Sequence, residues 1–246
     1  GAPATRRAVA ANMAAPAHVN RHLADDEEDD VRAELARKIA RLMPDLSTRE
    51  ARHIQDLTIE TLERLAADQV PRVRAVLAEE IKHLDSIPVQ IVQALARDVE
   101  EIVSVPILEY SPLLSDADLK EIIAEGKVHA VLAAIARRKP LSANISDAVV
   151  SSLDIPAVAA LLANPDAAIR DRTLDAIIDQ AERISVWQDA VCTRADLSRR
   201  AIRRLASFVS AALIEMLASR HGIDEETKAH LNRQLPGAQS GLLLQL

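Results

Sequence analysis

Aromatic side chains are nearly missing from this chain. Tyr110, Trp187 and Phe208 are its only three among 246 residues. Small-molecule pockets draw heavily on aromatic walls, so a conventional ligand site has little to be built from. Glycine is scarce too, with 5 in all. Gly-x-Gly-x-x-Gly, the phosphate-cradling P-loop and the Gly-x-Ser-x-Gly elbow are all absent. The single cysteine, Cys192, excludes an intrachain disulfide and a Cys-based zinc site and fits a reducing, cytoplasmic setting. No apolar run approaches the ~20 residues that cross a bilayer. The opening "GAPATRRAVAANMAAPAHV" has no sustained apolar core of the secretory kind. Positive charge is also in deficit: the net charge is −7 and the pI about 5.5, which disfavours non-specific binding to nucleic acid or an anionic membrane. These absences lead to an expectation of a non-enzymatic protein that needs no cofactor or metal.

What is present is aliphatic. Hydrophobic residues make up 49% of the chain and charged residues 27%, a composition that folds rather than stays disordered. The apolar set is mostly Ala, Leu, Ile and Val, punctuated by 11 prolines, which favours helices joined by short turns. Val31, Leu35, Ile39 and Leu42 recur at helical spacing until Pro44. "STRE", Ser47–Glu50, is a capping-box pattern. Pro71, Pro88, Pro140, Pro156 and Pro165 sit at or near predicted helix starts, whereas Pro106, inside "EEIVSVPILEY", predicts a helix start or a kink. Ser115 reads as a cap and Gly126 as a stop. "LASFVSAALIEMLAS", from Leu205, reads as one largely buried helix serving as a cap or a homodimer contact.

One phrase returns. Leu65-Ala-Ala-Asp68 aligns with Leu95-Ala-Arg-Asp98 at a step of 30, then with Ile135-Ala-Arg at 40 and Leu162-Ala-Asn at 27. After each comes a polar or proline-containing break, such as Asn164-Pro165-Asp166, and then an apolar helix. The steps bracket the length of a helical hairpin, because only the turns vary. A short helix pair cannot bury its stripe alone, and stacked pairs can. The predicted fold is therefore all-α, a HEAT-like α-solenoid of stacked helical hairpins. Residues 1–28 are expected as an N-terminal arm with short helices and an acidic run, 29–235 as a single repeat domain, and 236–246 as a tail. A chain that begins with Gly1 and breaks off at "SGLLLQL" suggests processed or cut ends.

The segments "LARDVEEIVSVPILEYSPLLSDADLKEII" (95–123), "IARRKPLSANISDAVV" (135–150) and "ALLANPDAAI" (160–169) resemble an uncharacterised bacterial family, domain-of-unknown-function family 2336. The resemblance spans roughly residues 30–215 and implies a HEAT-like helical fold. It carries over no catalytic residue, because the family has no established activity.

Several clusters have a sharp reading and a plain one. "DDEEDD", Asp25–Asp30, lacks the alternation and central glycine of a calcium loop and suits a helix N-terminus. His18 and His22 share a helical face but have no third ligand. Cys192 reads as a small packed residue. "RADLSRRAIRRLASF" gathers Arg194, Arg199, Arg200, Arg203 and Arg204, and Arg137-Arg138-Lys139 adds a second basic turn. The sharp reading is a phosphate-tracking ridge, and the plain one is a solvated face paired with neighbouring acids. Tyr110 and Trp187, placed by sequence in breaks or turns, have the plain reading of core filler and the sharp one of candidate interface anchors. The expected function is a protein–protein interaction or regulatory scaffold module with a protein partner or a second copy. The alternative is a nucleic-acid-binding protein using Arg200, Arg203 and Arg204 with Arg137 and Arg138.

Overall fold

The computed structural model describes residues 1–47, 52–126, 128–223 and 225–233. Among them sixteen α-helices form and no strand. In the first half these are α1 Pro3–Ala11, α2 Ala17–Leu23, α3 Asp29–Leu42, α4 Arg52–Ala66, α5 Pro71–Ile81, α6 Val89–Ala96, α7 Glu101–Tyr110 and α8 Asp116–Ala124. A 3-10 turn, Met43–Ser47, follows α3. The second half runs α9 His129–Ala136, α10 Ala143–Ser151, α11 Ile155–Ala163, α12 Asp171–Ala181, α13 Ser185–Cys192, α14 Arg199–Ala206, α15 Ala211–His221 and α16 Glu225–Arg233. Residues 48–50 of the capping box expected at Ser47–Glu50 lie outside the described residues, as does the tail 236–246.

The α-helices have 7 to 15 residues, at or below the length at which an isolated helix is marginal in water, so packing must hold them. The chain divides into two compact units, Gly1–Ile135 and Ala136–Leu246. In the first, α3 packs between α1 and α5, α5 packs on α7, and α4 packs on α2 and α6. In the second, α13 packs between α11 and α15, while α12 packs on α10 and α14, and α14 on α16. From α1 to α7 and from α10 to α16 each helix therefore meets its next-but-one neighbour in a file, and most also meet the next helix in sequence. The expected arm is the opening of the first unit's files, since α1 lies on α3 and α2 on α4.

The turns of the first unit carry a repeated device. Arg6 forks onto Asp26 at 2.7 and 3.0 Å, Arg32 onto Asp68 at 2.6 and 3.0 Å, and Arg74 onto Asp98 at 2.6 and 3.0 Å. Each aspartate also accepts the backbone N–H two residues on, at Glu28, Val70 and Glu100. Arg32 and Arg74 further donate to the carbonyls of Asp26 and Asp68. Planar two-point pairing suits arginine because its N–H groups form a rigid fork. One rung therefore binds helix, turn and next turn together.

The second unit uses other side chains at equivalent turns. Asn164 Nδ2 donates to the carbonyls of Ala136 and Arg138 at 2.9 and 2.7 Å. Arg194 donates to the carbonyls of Asn164 and Ala167 at 3.2 Å each. Asn164 thus takes the place of Asp68 and Asp98. That sets the register one residue earlier than the sequence alignment: Leu161, three before Asn164, matches Leu65 and Leu95.

Three element expectations change. Pro165 does not start α12, which begins at Asp171. Pro165 and Asp166 form a turn instead, and Ala167 makes an isolated bridge to Leu141, with Ala168 N–H donating to the Leu141 carbonyl at 3.0 Å. Pro106 neither starts nor stops α7, which runs through it from Glu101. The carbonyl whose helical donor Pro106 cannot supply, four residues back at Ile102, belongs to a residue 60% exposed, so it need not be buried without a partner. The apolar run from Leu205 is two helices, because Ser207–Ser210 form a turn and Ser210 caps α15 by accepting from Leu213 N–H. Ser115 caps α8 in a reciprocal box with Asp118, and Gly126 follows it at φ +69°, both as the sequence predicts.

Candidate functional site

The described residues contain no group of three or more His, Cys, Asp or Glu placed to hold a metal. The acidic run is distributed among arginines: Asp26 and Glu27 go to Arg6, Asp25 to Arg64, and Asp29 and Asp30 to Arg72. His18 and His22 lie exposed on α2. Cys192 is fully buried at the end of α13, and burial pushes its thiol up to about 12, which removes it as a nucleophile.

The sequence-predicted basic ridge separates into three populations. Arg194 is 6% exposed and serves as a structural tie, forking onto Asp196 while holding the turn carbonyls. Asp196 is held below its ordinary carboxylate value, chiefly by that hydrogen bond. Arg204 is pinned by Asp175 at 2.8 Å and by Asp179, both on α12. Arg199, Arg200 and Arg203 are exposed, and no ion pair or hydrogen bond engages them among the described residues. The split follows from helix geometry. Ala201, Ile202, Leu205 and Ala206 are buried, which turns the remaining positions outward. Ser198 starts the helix by accepting from Ala201 N–H at 3.1 Å.

Arg199 and Arg203 line a cavity of about 250 Å³ with Ile202, His221 and Ile223. Gly222 closes its floor in the left-handed conformation, φ +62°, which ends α15 and turns the chain toward α16. His221 Nε2 donates to the Arg194 carbonyl at 3.1 Å. Arg137 and Arg138 lie in the turn before α10, with α12 between α10 and α14 in the file.

The predicted aromatic anchors part company. Trp187 is inside α13, not in a turn. It is 1% exposed, and its Nε1 donates to the Ile155 carbonyl at 3.0 Å. Its bulk fills the core of the second unit, and as an interface anchor it is displaced. Tyr110 ends α7 at 46% exposure, with Lys82 Nζ 4.7 Å above its ring and the His83 ring edge-on at 5.1 Å. The cavity wall from the end of α15 was invisible in sequence, because only folding brings His221 and Ile223 to Arg199 and Arg203. The i, i+4 spacing of those two arginines was the available signal.

Charge is distributed unevenly. Residues 1–135 carry 16 basic and 24 acidic side chains, a net −8, whereas 136–246 carry 14 and 13, a net +1. The basic excess thus falls in the unit that contains α14.

Residues 103–240 match the family described as "Uncharacterised protein conserved in bacteria" (DUF2336). The chain belongs to this family. The match spans all of α10 to α16, and so includes the α14 arginines and the cavity. No curated protein and no solved structure matches the chain. No described helix of this DUF2336 member is long and apolar enough to cross a membrane.

Proposed function

We propose that this chain is a non-enzymatic interaction module, a regulatory scaffold whose helix files are HEAT-like stacks of helical hairpins. Next-but-one packing in both units and the rungs at successive turns support the architecture, since solenoids stack repeats in this way and present extended surfaces. The observation that carries the function is the contrast within one ridge. Arg194 and Arg204 are engaged internally, while Arg199, Arg200 and Arg203 stand exposed without partners. A cationic face of this kind selects an acidic protein surface.

The same three arginines support a second reading, nucleic-acid binding. Magnitude decides against it. An 8-residue helix is roughly 12 Å long, enough for a few phosphates where a dedicated DNA binder neutralises about 6–10. Stacking aromatics, which add ~1–3 kcal/mol per base to single-strand binding, are few here: Trp187 is buried, Tyr110 is in the other unit, and the half-buried Phe208 stands alone after α14.

Cross-linking and capture by the immobilised chain tests the proposal. A stoichiometric protein partner is expected, retained by Arg183→Glu, an exposed arginine between α12 and α13, and lost by Arg200→Glu with Arg203→Glu. Steeply salt-dependent DNA or RNA binding lost by the same double variant, with no protein captured, would replace it with the second reading.

A further inference from the structure

Two guanidinium groups face one cavity, and among the described residues no acid pairs with either. Arg199 and Arg203 stand one helical turn apart on α14, so they project the same way. Both line the cavity of about 250 Å³, and neither has a hydrogen bond or ion pair among the described residues. Three acids on neighbouring segments are already committed. Asp196 is forked by Arg194, and Asp175 and Asp179 hold Arg204. The opposite wall adds an imidazole rather than a carboxylate: His221 keeps its orientation by donating from Nε2 to the Arg194 carbonyl. Ile202 and Ile223 line the same space. The volume falls below the roughly 300 Å³ at which drug-sized sites begin. That suits one anionic side chain with an apolar neighbour and excludes a large cofactor.

We infer that this cavity is an oxyanion pocket for a partner's peptide segment. Arg199 and Arg203 take the carboxylate of a glutamate or the phosphate of a phosphoserine, and an adjacent apolar side chain rests on Ile202 and Ile223. Both oxyanions accept the planar, paired N–H groups that arginine presents. This rests on the interaction-module reading and names the chemistry of its partner.

The test uses the full chain, isotope-labelled, titrated with inorganic phosphate, with three peptides identical but for Glu, phosphoserine or Ser beside a leucine, and with a single-stranded DNA. Phosphate and one of the two anionic peptides should shift the resonances of Ile202, His221 and Ile223, the stronger peptide naming the oxyanion, while the Ser peptide leaves them still. Arg199→Gln with Arg203→Gln should weaken that binding about tenfold or more, the scale of lost charge-assisted hydrogen bonds, and Arg183→Gln should not. If phosphate and peptides leave these resonances unmoved while a partner still cross-links elsewhere, the pocket falls and the module reading stands. If phosphate binds and neither anionic peptide does, or DNA competes more strongly than either, the peptide assignment is overturned.

Discussion

Lys38 carries an ammonium into the first unit with only an amide oxygen to meet it. Its side chain leaves α3 at 2% exposure, and Nζ donates to Asn20 Oδ1 at 2.6 Å. Burial holds its pKa below the ordinary lysine value. A depressed lysine pKa means the folded state resists the charge. The penalty is therefore complete below the folded value. It fades as pH rises through that value toward the unfolded one, near 10.4. Replacing a buried charge with well-packed apolar groups is often stabilising by ~1–4 kcal/mol. Lys38→Met with Asn20→Leu is expected to raise urea-measured stability at pH 7 by about 1 kcal/mol or more, and the gain should shrink as pH is raised toward the unfolded value, about 10.4. A variant less stable than the parent at pH 7 would show that Lys38 meets a charge-stabilising environment instead.

At the scale of the element, the rungs explain why the repeated phrase keeps its aspartate. The Arg74 and Asp98 side chains are 14% and 10% exposed. Burial raises the Asp98 carboxyl, but the Arg74 hydrogen bond, the Glu100 N–H and the nearby charge outweigh it and hold the group below its ordinary value. Its contribution is therefore present above the unfolded value, about 3.9, and is lost as pH falls through the lower folded one. Arg74→Ala leaves a part-buried carboxylate unpaired, at a cost of about 3 kcal/mol at pH 7. Without the guanidinium, burial dominates and the Asp98 pKa moves up. The loss should then be smaller at pH 4.5, and adding Asp98→Asn should recover part of it. Equal losses at both pH values would mean the rung acts through packing alone. The phrase was legible in sequence because each rung needs Leu-x-x-Asp at the turn. Its partner was not, since Arg6, Arg32 and Arg74 sit on the preceding layer, 20 to 36 residues away. The same distance hid the roles of Asn164 and Arg194. Local rules served well where the cause was local, as at Ser115 and Gly126. They failed at Leu205–Leu217, where unbroken apolar periodicity concealed a serine-capped turn.

At the scale of the whole molecule, the informative residues are those whose arrangement lowers stability. Leu153 is 61% exposed and has φ +56°, in the left-handed region that favours glycine. Ile155 and Val186, 44% and 55% exposed, open the neighbouring helices α11 and α13, and Trp187 ties the two starts together by donating to the Ile155 carbonyl. An exposed leucine in a strained conformation contributes neither burial nor favourable backbone geometry. Leu153→Gly relieves the left-handed conformation and removes little buried area. Thermal unfolding should therefore rise by the equivalent of about 1 kcal/mol. Ile155→Asp with Val186→Asp should leave stability within ~0.5 kcal/mol, as is usual for surface changes. If this edge meets the same partner as α14, both variants should weaken capture while the arginine pocket still binds phosphate. A fall in melting temperature for Leu153→Gly would instead make Leu153 a structural residue.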